Sequence, residues 1–168
     1  MSRSPRVGIG TDLHRLVAGR PLRLGTVEIP FPEGLLGHSD GDVLCHAVAD
    51  ALLGATALGE IGSLFPDTDP QWEGIAGREL LARVRDLLDS NRWRIANVDA
   101  VVQAERPRLA PFRFEMITGI AAALRVDPSQ VSVKIKSNEG VDAIGRGEAI
   151  GVQAIARIEP IDQSETTP

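Results

Sequence analysis

Several things are scarce in this chain of 168 residues. It has one cysteine, Cys45, so it can form neither an internal disulfide framework nor a cysteine-rich zinc site. It has no tyrosine, and aromatic residues make up only 4%. No apolar run reaches the roughly 18 residues that span a bilayer, so no membrane partner is expected. The opening stretch MSRSPRVGIGTD lacks the apolar core of a secretory signal, which makes the cytoplasm the expected location. Positive charge is short as well. Lys and Arg number 18 against 23 Asp and Glu, a net charge of -5. A nucleic-acid binder carries a basic surface, so none is expected here. Histidine is scarce too, with three residues, His14, His38 and His46, crowded into one stretch.

What remains is ordinary globular composition, 43% hydrophobic and 24% charged. A chain of this length makes one domain and buries roughly two-thirds of its unfolded surface. There is no repeat and no linker, so residues 1–168 read as a single domain. Residues 1–5 and 160–168 are expected to be flexible tails.

Val7, Ile9 and Thr11 alternate with Gly8, Gly10 and Asp12, the period of a strand. PLRLG and TVEIP are two shorter strands with a turn at Gly25 and Thr26. Residues 42–58 read as a helix capped by Ser39 or Asp40 and stopped by Gly59. A short helical turn and a loop follow, then a second helix over 78–90 with Leu80, Leu81, Val84, Leu87 and Leu88 on one face. Residues 93–105 form a long strand, with Ile95, Asn97, Asp99, Val101 and Gln103 on one side. Pro111 opens a third helix to about Leu124. VSVKIKS and AIGVQAIARIE are strands, with a Gly-rich loop between them. Strands separated by helices predict an α+β sandwich, an α/β layering with one mixed sheet covered by helices on one face.

Asp12 and His14 are two apart on a strand, so both side chains face the same way. With His46 one turn into the first helix, they make a three-ligand metal set with an open fourth position. Read alone, Asp-x-His is a solvated strand end and His46 a packed helix residue. Asp42 and Asp50 lie four residues either side of His46, where a carboxylate can orient the second ring nitrogen or face solvent. His38-Ser39-Asp40-Gly41-Asp42 is a polar loop opening a helix, which suits a phosphate and equally suits capping. The acids of FPDTDP fit turn chemistry as well as binding. Arg106 and Arg108 suit an anion or a solvated surface. Cys45 reads as a packed helix residue pointing away from its neighbour His46.

The motifs occur in a fixed order: Asp-x-His, then GLLGHSDGDVLCHAVADALLGA, then GEIGSLFPDTDP, then GRGEAI. From about Arg6 to Ile158 the chain resembles the 2-C-methyl-D-erythritol 2,4-cyclodiphosphate synthases of the non-mevalonate isoprenoid pathway. The resemblance implies closure of 4-diphosphocytidyl-2-C-methyl-D-erythritol 2-phosphate on itself. Its 2-phosphate oxygen attacks the β-phosphorus and CMP leaves. It also implies a homotrimer with sheets facing the threefold axis and active sites between subunits, one zinc ion per subunit, and a magnesium or manganese ion.

Carried over by position, the resemblance makes Asp12, His14 and His46 the zinc ligands, with Leu13 beside the substrate. His38 and Ser137 become the groups stabilising the transition state, and Ser39 a substrate contact. Glu60, Ile61 and Gly62 fall on a substrate-binding stretch, as do Phe65, Pro66, Asp67, Thr68 and Asp69. Ala104, Glu105, Arg106, Pro107, Arg108, Leu109 and Ala110 match the cytosine pocket. Lys136, Asn138, Ala143 and Arg146 match further contacts, and Glu139 the position near the second cation. Some residues depart from the pattern. Glu60 stands where many members have Asp, Lys136-Ser137-Asn138 replaces a Thr-rich run, and Ala143 replaces a bulkier residue. Thr11 and Gln153 replace an aromatic and an acid that line an axial cavity in some members. Two other readings share these residues: a zinc-dependent phosphohydrolase, and a non-catalytic trimer that binds a nucleotide.

Overall fold

The structure, a computed structural model, describes residues 3–161. Strand β1 (Arg6–Ala18) pairs antiparallel with β7 (Ala149–Pro160), and β7 with β5 (Trp93–Gln103). Strand β6 (Val131–Lys136) lies parallel to β5, and the three-residue β4 (Glu33–Leu35) closes the other edge. The order is β4-β1-β7-β5-β6, a mixed sheet, with β2 (Leu22–Leu24) and β3 (Val27–Ile29) as a separate hairpin. Helices α1 (Val43–Thr56), α3 (Gly77–Ser90) and α4 (Arg113–Leu124) form the second layer. The short α2 (Ile61–Leu64) and α5 (Asp142–Gly145) stand at its margins. The expected α+β sandwich is the one the chain forms.

Strand alternation decides how the layers meet. On β1 the residues Gly8, Gly10, Asp12 and His14 share the face turned to α1. A Cβ at Gly8 would lie 2.1 Å from the Ala51 carbonyl oxygen, and one at Gly10 2.0 Å from that of Ala47. Glycine is therefore required for α1 to lie directly on β1. That close approach brings His46, the residue before Ala47, beside Asp12. Helix α1 is buried along almost its whole length, and the core runs from it through Leu81, Leu88 and Ile120.

The other face of the sheet is uncovered and carries an exposed apolar patch on β1 and β7. Val7, Ile9 and Leu13 on β1 are 61–66% exposed, and Ile155, paired with Ile9 on β7, is 48% exposed. Among the described residues no helix is long and apolar enough to cross a membrane.

Five local expectations change. The cap of α1 is Asp42, whose side chain accepts from the Cys45 amide, not Ser39 or Asp40. The helix stops at Thr56 because Ala57 turns left-handed, two residues before Gly59. A register shift at Ala96 puts Ile95 in the core and Asn97 outside, so the single alternation across 95–103 breaks there. The Gly-rich loop holds a helical turn, α5. Finally, Pro160 pairs with Trp93 and the Ile161 amide donates to the Arg92 carbonyl, so the fold extends into the expected tail. At the other end Arg3 donates to the Asn91 carbonyl. The rest of the expected tails, residues 1–2 and 162–168, lies outside the described residues.

Candidate active site

Asp12, His14 and His46 converge as the strand spacing requires. One ligand atom from each falls within 4.8 Å of the others, and this is the only such group of three among the described residues. The Asp12 carboxylate lies 2.9 Å from His14 Nε2 and 3.0 Å from His46 Nδ1. The remaining ring nitrogens are also held. His14 Nδ1 meets the Leu36 carbonyl at 2.5 Å, and His46 Nε2 meets the Ser39 hydroxyl at 3.0 Å. Burial alone would raise the Asp12 carboxyl, but hydrogen bonds from both imidazoles outweigh it and hold the group far below the usual carboxylate range. Burial likewise lowers His14, and the bond to Asp12 outweighs it and raises the ring. Two imidazole nitrogens and one carboxylate oxygen, oriented by outer partners, fit a divalent metal with an open position.

The second partner of His46 is Ser39, not Asp42 or Asp50. Asp42 is fully buried and its carboxylate is used elsewhere. It accepts from the Gly25, Thr26 and Cys45 amides at 2.7–3.0 Å and from the Cys45 thiol at 3.1 Å. This ties the β2–β3 turn to the start of α1. Cys45 turns away from the metal set, as expected, and burial pushes its thiol up. Asp50 accepts from the Ile61 amide at 2.8 Å and so anchors α2.

A cavity of about 320 Å³ opens over this group. It is lined by Asp12, His14, His38, Ser39 and His46, together with Ile61, Gly62, Phe65 and Asp67. The loop 38–42 is shaped from within. Asp40 accepts from the Asp42 and Gly77 amides, and Arg20 donates to the Ser39 carbonyl at 3.0 Å. Sequence reasoning missed three lining residues, Trp72, Ile75 and Leu80. Trp72 meets Phe65 edge-on at 5.1 Å between ring centres, and the pair forms an apolar wall. It is one of only two tryptophans, and that rarity was the available signal.

Other expected residues lie outside this cavity. Glu60 caps α2, and Asp69 accepts from the Gln71 amide, so its carboxylate serves the turn. Pro66 and Thr68 are in the same loop without lining the cavity, and Leu13 points to the opposite face of the sheet. Residues 104–110 and 136–146 form a second group. They sit at the carboxyl ends of the parallel strands β5 and β6, joined by the Ala104 amide to the Lys136 carbonyl at 2.9 Å. Most of them are exposed, and their side chains pair locally: Ser137 with Glu139, Asn138 with Asp142, Arg146 with Glu148. Within one chain the structure does not bring this group into the cavity, and among the described residues Glu139 belongs to no metal-ligand cluster.

The profile of the YgbB family matches residues 5–159. The chain belongs to the YgbB family. It is 52% identical over 161 residues to the 2-C-methyl-D-erythritol 2,4-cyclodiphosphate synthase of Pelotomaculum thermopropionicum, covering 96% of this chain and 99% of that protein. To the enzyme of the same name from Dechloromonas aromatica it is 53% identical over 156 residues, 93% and 98% of the two chains. Among solved structures, a CDP complex from Plasmodium falciparum superposes with a TM-score of 0.83 at 33% identity, over 95% of this chain and 98% of that one. A bifunctional protein from Campylobacter jejuni gives 0.91 at 37% identity over 96% of this chain, which spans 44% of that longer one. This YgbB member therefore shares its fold with a nucleotide-bound relative, and its cavity lies where the family motifs converge.

Proposed function

We propose that this YgbB-family protein is a cytoplasmic homotrimeric lyase. It converts 4-diphosphocytidyl-2-C-methyl-D-erythritol 2-phosphate to 2-C-methyl-D-erythritol 2,4-cyclodiphosphate and CMP. The observation that carries this reading is the Asp12–His14–His46 donor set under the His38–Ser39 loop, in a chain about half identical to synthases of that name.

The physical difficulty is one phosphate attacking another within a polyanion. Protein nucleophiles are unnecessary, because the attacking oxygen belongs to the substrate. The oxygen of the 2-phosphate forms a bond to the β-phosphorus, the bond from that phosphorus to the bridging oxygen breaks, and CMP leaves with the electron pair. Holding both ends of one molecule close supplies much of the acceleration. Zinc held by Asp12, His14 and His46, with magnesium or manganese near Glu139, would supply Lewis-acid neutralisation of phosphate oxygens. His38 and Ser137 donate hydrogen bonds to the transferring group as its charge shifts. Phe65 and Trp72 keep water off that side of the cavity, which favours the internal oxygen over hydrolysis.

The loops 104–110 and 136–146 complete the site from a neighbouring subunit. The bare apolar face around Ile9 and Ile155 supports this, because a trimer with its sheets on the axis would bury it. Arg108, Lys136 and Arg146 then bring positive charge to a substrate that an acidic chain otherwise repels.

Incubation with the diphosphocytidyl substrate and divalent cations, followed by phosphorus NMR, tests the reading. CMP is expected in equal amount to a cyclic diphosphate, and chelation is expected to stop both. Inorganic phosphate or CDP in place of the cyclic product would make the protein a phosphohydrolase. Binding without turnover would make it a nucleotide-binding trimer.

A further inference from the structure

The loop 104–110 is fixed at both ends by main chain. The Ala104 amide donates to Lys136, and Leu109 is buried with its carbonyl accepting from Phe112. Between these points the chain runs across the surface, where loops are ordinarily mobile. Among the described residues, the only side-chain hydrogen bond or ion pair from positions 105–108 belongs to Arg106.

That one side chain reaches three separate elements. Its Nη2 lies 2.9 Å from Glu33 Oε2 on β4. Its Nε donates to the Gly147 carbonyl at 3.1 Å. Its guanidinium lies over the Phe31 ring, 5.6 Å from the centroid. Gly147 is shaped for this contact. It has a φ of +71°, and a Cβ there would lie 2.5 Å from Arg106 Nε. Glu33 depends on it too, because its buried Oε2 has no hydrogen-bond partner among the described residues and the Arg106 guanidinium, 2.9 Å away, is the charge that offsets it. A planar guanidinium bonds and stacks at once in a way that a lysine cannot. Arg108, two residues on, is exposed and makes no such contact among the described residues.

The geometry points to Arg106 as a positioning residue that clamps the nucleotide-side loop to β4 and to the Gly147 turn, leaving Arg108 as the cation offered to the ligand. The inference rests on the proposed function, in which this loop receives the cytidine end of the substrate. Glu33 contacts nothing in the cavity, so its effect on nucleotide binding passes through Arg106. Removing either partner frees the same loop, and removing both adds little to removing one.

The test uses the full-length protein with its metals. CMP affinity is measured by calorimetry, and KM and kcat with the diphosphocytidyl substrate, for wild type, Arg106→Ala, Glu33→Ala and the double variant. Each single variant is expected to weaken CMP and raise KM about tenfold. The double variant is expected to match the singles rather than multiply them, since the two residues form one unit. The kcat of Glu33→Ala should stay near that of wild type, which separates loop placement from general unfolding. Weakened CMP binding in Arg106→Ala with no change in Glu33→Ala would overturn the inference, because Arg106 would then touch the nucleotide itself. Unchanged binding in both singles would also overturn it. A wild-type protein that neither binds CMP nor releases it would instead sink the proposed function, and that result is read before any variant.

Discussion

The two halves of the candidate site are built in opposite ways. In the cavity half, each side chain of the Asp12–His14–His46 set has partners supplied by its own chain. Gly8 and Gly10 let α1 lie on β1, Asp12 binds both imidazoles, and Leu36 and Ser39 hold their far nitrogens. In the loop half, residues 104–110 and 136–146 stand largely exposed; Arg106 is held by Glu33 and Gly147, while Ser137, Asn138 and Arg146 bond to nearby side chains. The first half is finished by folding. The second offers charge and hydrogen bonds at the surface, outside the cavity over the metal-ligand set, which is how the edge of a shared site is expected to look.

The sharpest way to break this contrast is to disable the finished half. Replacing His46 by Ala removes one of three ligand atoms and leaves the Asp12 carboxylate with one imidazole. Purified protein should lose its bound metal, and turnover should fall to background. Elemental analysis beside the activity assay checks both at once. Full metal content in this variant would remove His46 from the ligand set.

A partial recovery comes next. Co-expressing His46→Ala with Glu139→Ala, each inactive alone, lets mixed trimers join an intact cavity half to an intact loop half. With random assembly, about three-quarters of trimers are mixed and about one site in three is then whole, so about a quarter of wild-type turnover should return. Separable tags identify the mixed species. No recovery in isolated mixed trimers would mean that each site is completed within one chain.

The same contrast marks what could be read from the sequence. Alternation on β1 and the Ala- and Leu-rich run of residues 42–58 are local, so the strand, the helix and the convergence of Asp12 and His14 were all legible, although the cap of that helix was placed at Ser39 or Asp40 instead of Asp42. The contact with His46 needed one more step, supplied by motif resemblance and explained by the glycines of β1. What was missed depends on distance along the chain or on a single inserted residue. Trp72 and Ile75, between α2 and α3, and Leu80, in the first turns of α3, reach the cavity through tertiary packing, and no local period encodes that. Ala96 shifts the strand register by one, which reverses the side that Ile95 faces. β4 has three residues, too few for any alternation to register. Helical spacing placed Asp42 and Asp50 beside His46, but both carboxylates are taken by backbone amides of other elements. Competition for hydrogen-bond donors decided the matter rather than helix geometry.

Ser39 therefore carries the smallest and most diagnostic effect. Its hydroxyl accepts from the Gly41 amide at 3.1 Å and meets His46 Nε2 at 3.0 Å, so it fixes both the loop and the ring. Outer partners of metal-bound histidines typically change metal affinity by about ten- to a hundredfold when removed. Ser39→Ala should thus weaken metal binding within that range while all three ligands remain, and Ser39→Thr, which keeps the hydroxyl, should restore much of it. Competition with a chelator of known affinity measures both variants. An unchanged metal affinity accompanied only by a raised KM would assign Ser39 to the substrate and leave the His46 ring oriented by Asp12 alone. The finished half of the site would then be held by one partner fewer than its geometry provides.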